Sequence, residues 1–149
     1  MKSPPPSSVN ARNTMRANRR VSGLERRLRS SLWAAGARGY RVHAKLVGRP
    51  DIVFPVERQV IFVHGCFWHG CAICALPMPK ANAEFWARKR LQNALRDREV
   101  IRRLAADGWD VRVVWEHSVR ENADRVARDL IDRRQARRDA LLVRRSDPE

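Results

Sequence analysis

Lysine is nearly missing from this sequence: only Lys2, Lys45, Lys80 and Lys89 carry it. Acidic residues are also few, 16 against 31 Lys+Arg, which leaves a formal net charge of +15 in 149 residues. No stretch approaches the ~18 consecutive apolar residues that a membrane span needs. The start, Met1-Lys2-Ser3-Pro4-Pro5-Pro6-Ser7-Ser8, holds no apolar signal core. A soluble, cytoplasmic protein is expected, associated with the nucleoid if its partner is DNA. Cysteine is scarce too. Cys66, Cys71 and Cys74 are odd in number and lie close together, which excludes a disulfide framework and favours metal ligation. There is no internal repeat.

What is present is arginine. Its planar fork suits phosphate better than the point charge of lysine. An excess this large repels itself unless a polyanion offsets it. Nucleic acid is the natural partner, although an arginine-biased genome would also colour every surface. Five tryptophans in so short a basic chain favour the first reading, because flat rings stack on bases. The length is that of one domain.

Residues 1–11 read as a flexible arm, 12–142 as one domain and 143–149 as a tail. Ser22 and Glu25 form a capping box for a helix carrying Leu24, Leu28, Leu32 and Ala35, ended by Gly36. Tyr40, Val42 and Ala44 alternate as a strand would. Strands follow over 51–54 and 60–63, the second apolar on both faces and therefore central. Asn82 is placed to cap a long helix to about Ala106, with Leu91, Leu95, Ile101 and Leu104 inward and Gly108 as the stop. Residues 109–115 alternate as another strand, and a last helix runs from Val119 to about Leu142, with Val126, Leu130 and Ile131 inward. The order predicts an α/β fold with a small mixed sheet flanked by helices.

Three constellations carry chemistry. Asp51 opens one strand, and Val63-His64 close the neighbouring central one. Metal-dependent nucleases place a carboxylate this way because Mg²⁺ takes hard oxygen ligands. No carboxylate stands at 63, so a backbone carbonyl would have to serve there. Asp51 could equally cap the turn after Pro50. The second constellation is the run His64 to Cys74, where C-x4-C-x2-C supplies three soft ligands. Four-coordinate zinc needs one more, and His64, His69 and His117 are candidates. The bland alternative is three buried thiols. Phe67 and Trp68 sit between these ligands, where adjacent rings could wedge between base pairs or simply pack over the loop. The third is a single face of the long helix: Trp86, Lys89, Asn93 and Asp97 at offsets that align. Such a stripe is usually just solvated, but a tryptophan sits poorly on a solvated face. Asp97 could orient a histidine. Glu25 is explained by its capping box, though its helix could also face the metal.

The string Gly48-Arg49-Pro50-Asp51, Phe62-Val63-His64-Gly65-Cys66-Phe67-Trp68-His69-Gly70-Cys71, Pro79-Lys80-Ala81-Asn82, Phe85-Trp86, Asn93, Arg96-Asp97, Gly108-Trp109 and Val114-Trp115-Glu116 closely resembles the very short patch repair (Vsr) DNA mismatch endonucleases. The resemblance spans roughly residues 12 to 120. It implies a restriction-endonuclease-like fold with a structural zinc loop. It implies a nick on the 5′ side of the thymine in a T:G mismatch left by deaminated 5-methylcytosine, with catalytic Mg²⁺ and structural Zn²⁺. By position, Asp51 and the Val63 carbonyl would hold Mg²⁺, and Glu25 would touch metal-bound water. His69, held by Asp97, would be the base, and His64 would orient or neutralise the phosphate. Phe67, Trp68 and Trp86 would form the major-groove wedge and Met15 its minor-groove counterpart. Lys89 and Asn93 would contact the mismatched pair or its neighbours. Zinc would take Cys66, Cys71, Cys74 and His117, where the family commonly has cysteine at the last position. The implied partners are double-stranded DNA carrying a T:G mismatch and a MutL-like repair protein. A cytosine-5 methyltransferase would be the functional companion, and one site per chain with a single nick fits a monomer. The alternatives are a relative that cuts matched DNA and a non-catalytic zinc-dependent DNA-binding module.

Overall fold

The computed structural model describes residues 23–146. Ser22, Met15, the 1–11 arm and the last three residues lie outside them, so the capping box and the minor-groove residue have no structural counterpart here. The elements are α1 (23–34), β1 (Ile52–Phe54), β2 (Gln59–His64), α2 (Ala83–Ala106), β3 (Asp110–Trp115) and α3 (Glu116–Ser146).

β2 is the centre of a three-stranded mixed sheet, antiparallel to β1 and parallel to β3. The parallel pair needs a crossover, and α2 supplies it. All six residues of β2 are buried, because both faces are covered by helices. Alternation along the strands sorts the core into two sets. Ile52, Phe54, Ile61, Val63 and Val114 pack with Leu24, Leu28 and Leu32 of α1 and with Val119, Ala123, Ala127 and Leu130 of α3. Val53, Val60 and Phe62 point the other way, against Leu104 and the half-buried Val100 of α2. Each leucine so buried contributes roughly 1.5–3 kcal/mol.

Two helices stop on glycine for the same reason. Gly36 (φ 91°) and Gly108 (φ 82°) take the left-handed conformation that a side chain resists. The chain then folds back, with Ala37 N donating to Leu32 O at 2.9 Å and Trp109 N to Leu104 O at 3.0 Å.

Several sequence expectations need correction. Residues 40–44 are not a strand. Arg41 makes one bridge to Val53, and His43, at φ 54°, then turns the chain away from the sheet. Asn82 stands before α2 but is itself left-handed (φ 58°) and makes no side-chain cap bond. Leu91 and Leu95 do not face inward, being 60% and 56% exposed. α3 begins three residues before Val119, directly after β3, and is interrupted at Asn122 (φ −159°, ψ 89°). The Asn122 Oδ1 accepts from Arg125 N at 2.9 Å and so caps the longer segment, which continues to Ser146.

A buried carboxylate pins α3 across the sheet. Glu57, in the β1–β2 turn, is 1% exposed and lies 3.1 Å from Arg134 Nε. Arg137 donates to Glu57 O at 3.0 Å and to Gly108 O at 2.5 Å, joining the turns before β2 and β3.

Candidate active site and metal centre

The C-terminal end of β2 and the start of β1 meet at a concavity of about 470 Å³. Glu25, Arg49, Asp51, Val63, His64, His69 and Asp97 all line it. Six of these are sequence candidates, drawn from four separate stretches of chain; Arg49 is the addition.

Asp51 is set by the sheet. Its N–H donates to Ile61 O at 3.0 Å, and its Oδ2 accepts from Val63 N at 2.6 Å. The N–H and C=O of one strand residue point the same way. The Val63 carbonyl therefore also faces the Asp51 side, beyond the end of β1. Burial pushes the Asp51 carboxyl above its ordinary range, against the opposing effect of the Val63 N–H. Glu25, on the first turns of α1, is pushed up to about 7 by burial and then by the Asp51 charge, with which it shares a hydrogen bond. Two crowded carboxyls and a main-chain carbonyl are a hard-oxygen set short of positive charge, which is the chemistry a Mg²⁺ ion fits.

The histidines form the opposite wall. His69 Nδ1 lies 2.5 Å from Asp97 Oδ2, across from α2. This bond fixes the proton on Nδ1 and leaves the Nε2 lone pair free. The His64 ring stacks on His69 with centroids 3.8 Å apart and 10° between planes. Burial, then the neighbouring His69, push His64 down to about 4, so it is neutral at pH 7. His64, His69 and Asp97 are close enough to share an ion, but Asp97 is already engaged with His69.

The second cluster is Cys66, Cys71, Cys74 and His117. The His117 Nδ1 lies 3.3, 3.6 and 3.4 Å from the three sulfurs in that order. A tetrahedral ion with Zn–S of about 2.3 Å and Zn–N of about 2.0 Å sets each S···N separation near ~3.5 Å. The residues fit zinc, and His117 stands where a fourth ligand, left open by spacing alone, would be needed. Cys66 follows β2 and His117 follows β3, so parallel pairing of the strands brings them together. Glu116 was missed in the sequence. Its Oε2 accepts from Cys66 N at 3.0 Å and orients that ligand's backbone. Its place beside His117 was the available signal.

Between the two clusters stand the rings. Phe67, Trp68 and Trp86 contact one another at centroid distances of 5.3, 6.0 and 5.5 Å, all half-buried. The Trp68 indole N–H is buried with no partner. Asn93 is buried and donates to Trp68 O at 3.0 Å, so its amide holds the ring loop. Lys89 is half-buried on the same helix and forms no ion pair among the described residues. Arg90 was also missed. It donates to Leu76 O at 3.1 Å and lies over the Phe67 ring. It falls in the stripe 86–90–93–97–100–104, which is the true inward face of α2.

Comparison with known proteins fits this geometry. Residues 8–75 match the family model described as DNA mismatch endonuclease Vsr. The chain is 47% identical over 93 residues to the type II nicking enzyme V.XorIIP of Xanthomonas oryzae pv. oryzae, covering 62% of this chain and 68% of that protein. It is 44% identical over 102 residues to the DNA mismatch endonuclease Vsr of Escherichia coli, covering 68% and 65% respectively. It is 37% identical over 127 residues to the type II nicking enzyme V.NaeI of Lentzea aerocolonigenes, covering 80% and 75%. The chain thus spans about two thirds of the length of the first two relatives.

Proposed function

This chain belongs to the Vsr family of DNA mismatch endonucleases, and from that membership we propose that it nicks one strand of duplex DNA 5′ to the thymine of a T:G mismatch. The observation that carries the reading is the pocket in which Asp51 faces the His69–Asp97 pair beside a cluster of three rings. A pure binding module has no use for such a pair. Several relatives are named as nicking enzymes, which supports cleavage of a single strand.

Mg²⁺ would be held by Asp51 and the Val63 carbonyl, with Glu25 near its water, and would supply Lewis-acid polarisation of the scissile phosphate. His69 Nε2 takes the proton from the attacking water. Asp97 keeps the other ring proton in place and stabilises the imidazolium that forms. Water oxygen bonds to phosphorus as the bond to the leaving strand end breaks. His64, neutral in the free protein, donates a ring N–H to a phosphate oxygen. Phe67, Trp68 and Trp86 enter from the major groove and unstack the wobble pair, whose weaker stacking lowers a cost of a few kcal/mol per step. Met15 on the minor-groove side, with Lys89 and Asn93 by the mismatch, belongs to the same reading. Cys66, Cys71, Cys74 and His117 would hold structural Zn²⁺. The working unit is a cytoplasmic, nucleoid-associated monomer with residues 12–142 as its domain. It acts after a cytosine-5 methyltransferase and alongside a MutL-like protein.

The test is cleavage of matched and T:G duplexes with and without Mg²⁺. Selective nicking of the T:G duplex, abolished in Asp51→Ala with binding retained, supports the proposal. Equal cutting of matched DNA, or nicking retained by Asp51→Ala, overturns it.

A further inference from the structure

The loop between α1 and β1 was read in the sequence as a strand and a turn. In the structure, its residues His43, Ala44, Lys45, Leu46 and Arg49 line a second concavity of about 550 Å³. Arg49 lines this space and the catalytic pocket alike, so the two adjoin at this residue. His43, Lys45 and Arg49 are exposed. None of the three is in an ion pair among the described residues. Four helix arginines, Arg88, Arg102, Arg120 and Arg125, by contrast pair with carboxylates of their own helix.

The backbone here is set, not loose. His43 and Arg49 both adopt left-handed conformations, at φ 54° and 51°. Non-glycine residues do so at a cost of roughly 1–2 kcal/mol each, and such strain gathers where function over-determines the chain. Turn bonds from Leu46 N to Ala44 O (2.9 Å) and Arg49 N to Leu46 O (3.0 Å) hold the shape. Gly48 (φ 74°) sits so close to α2 that an added Cβ would lie 2.4 Å from Val100 Cγ1. A rigid loop that sets two unpaired cations, Lys45 and Arg49, and an exposed imidazole at the rim of the catalytic pocket has the chemistry to take a phosphate.

We propose that the 43–49 loop is a phosphate seat: Lys45 and His43, continued into the catalytic pocket by Arg49, hold the sugar–phosphate backbone of the nicked strand beside the cleaved bond. The nuclease reading enters only in the choice of polyanion; the seat itself rests on the geometry of the loop. Lys45 acts as a point charge on one phosphate oxygen, His43 as an N–H donor to the same or the adjoining phosphate, and Arg49 as the fork between the two concavities. The contact is blind to base sequence, so it sets register and grip while the rings read the pair.

The experiment is anisotropy binding of the full chain to a T:G duplex across a salt series without Mg²⁺. Each phosphate contact contributes about 0.9 to the slope of log K against log[salt]. Lys45→Ala is expected to lower the slope by that amount, and Lys45→Arg to restore it. Arg145→Ala removes an equal charge in the last turn of α3, lines neither concavity, and is expected to leave the slope as in the wild type. A methylphosphonate scan of the nicked strand is expected to find one position whose neutralisation weakens the wild type but not Lys45→Ala. An unchanged slope in Lys45→Ala overturns the proposal, as does coupling confined to the complementary strand. Nicking assayed separately keeps the two readings apart: loss of T:G selectivity would sink the mismatch assignment while the slope still reports on the seat.

Discussion

Asn93 Nδ2 donates to the carbonyl of Trp68 at 3.0 Å, joining the helix that holds Asp97 to the loop that presents the rings. Asp97, bonded to His69, and Asn93, bonded to the ring loop, are thus one helical turn apart on α2. On the proposed reading, one helix aligns recognition with chemistry.

Asn93→Ala should therefore loosen the wedge. The lost bond leaves a buried carbonyl unpaired, at a cost of about 1–3 kcal/mol. Thermal unfolding should show that loss. The preference for T:G over matched duplex should fall in the same variant, measured as a ratio of kcat/KM values.

Asp97→Asn preserves shape but not the proton. An amide can present its N–H to Nδ1 and push the ring proton onto Nε2, where the base needs a lone pair. The expected fall in single-turnover rate is about 10²–10⁴-fold, with duplex affinity unchanged in a binding titration.

The two exposed roles of histidine should separate cleanly. His117→Ala should release zinc and lower the unfolding temperature, while His117→Cys should retain the metal. His69→Ala should keep zinc by metal analysis yet lose cleavage. The opposite pattern would mean that the roles are exchanged.

Glu25 gives a pH signature. Its carboxyl titrates near 7 in the folded chain against about 4.5 in the unfolded one. A raised acid pKa means that the folded state holds the proton more tightly, so the Glu25 contribution to Mg²⁺-free stability should decline as pH rises from about 4.5 to 7 and stay low above it, opposed over part of that window by His64, whose lowered value makes the folded state gain on the unfolded one as pH rises. Glu25→Gln should remove that contribution, read in urea titrations as the difference between wild type and variant across the window, while the raised Asp51 carboxyl keeps its own share. Mg²⁺ binding should release protons near neutrality, seen by calorimetry in buffers of different ionisation enthalpy.

Glu57→Ala tests the clamp on the far side of the sheet. It strands Arg134, whose side chain is only 19% exposed. Removing one partner of a buried pair costs about 3–5 kcal/mol, less where water reaches the survivor. The midpoint of denaturation should fall, with the cleavage rate of the folded fraction unchanged.

Much of the site was legible because its residues sit at strand ends or at short spacings. Asp51, His64, His69 and the three cysteines declare themselves locally, and His117 follows once β2 and β3 are known to be parallel. The inner face of α2 was misread for a physical reason. Leu91 and Leu95 are the large apolar residues of its middle turns, yet there the helix turns Asn93, Asp97 and Arg90 inward because it faces a polar pocket and a ring loop as well as the core. Hydrophobic periodicity fails where an element serves a site. The Glu57–Arg134 pair and the Asn93–Trp68 bond join distant stretches of chain, and no local pattern announces them. The 40–44 alternation failed because a left-handed turn at His43 ends the pairing after one bridge.

The sulfur–imidazole cluster takes one ligand two residues past β2 and another two residues past β3. It works as a hasp across the open end of the sheet. Phe67, Trp68 and His69 all lie on the stretch between Cys66 and Cys71, so an ion held there would tether their loop to the sheet. On the proposed mismatch reading, the deformation on encounter then falls on the double helix, whose easiest place to yield is the pair that never fitted.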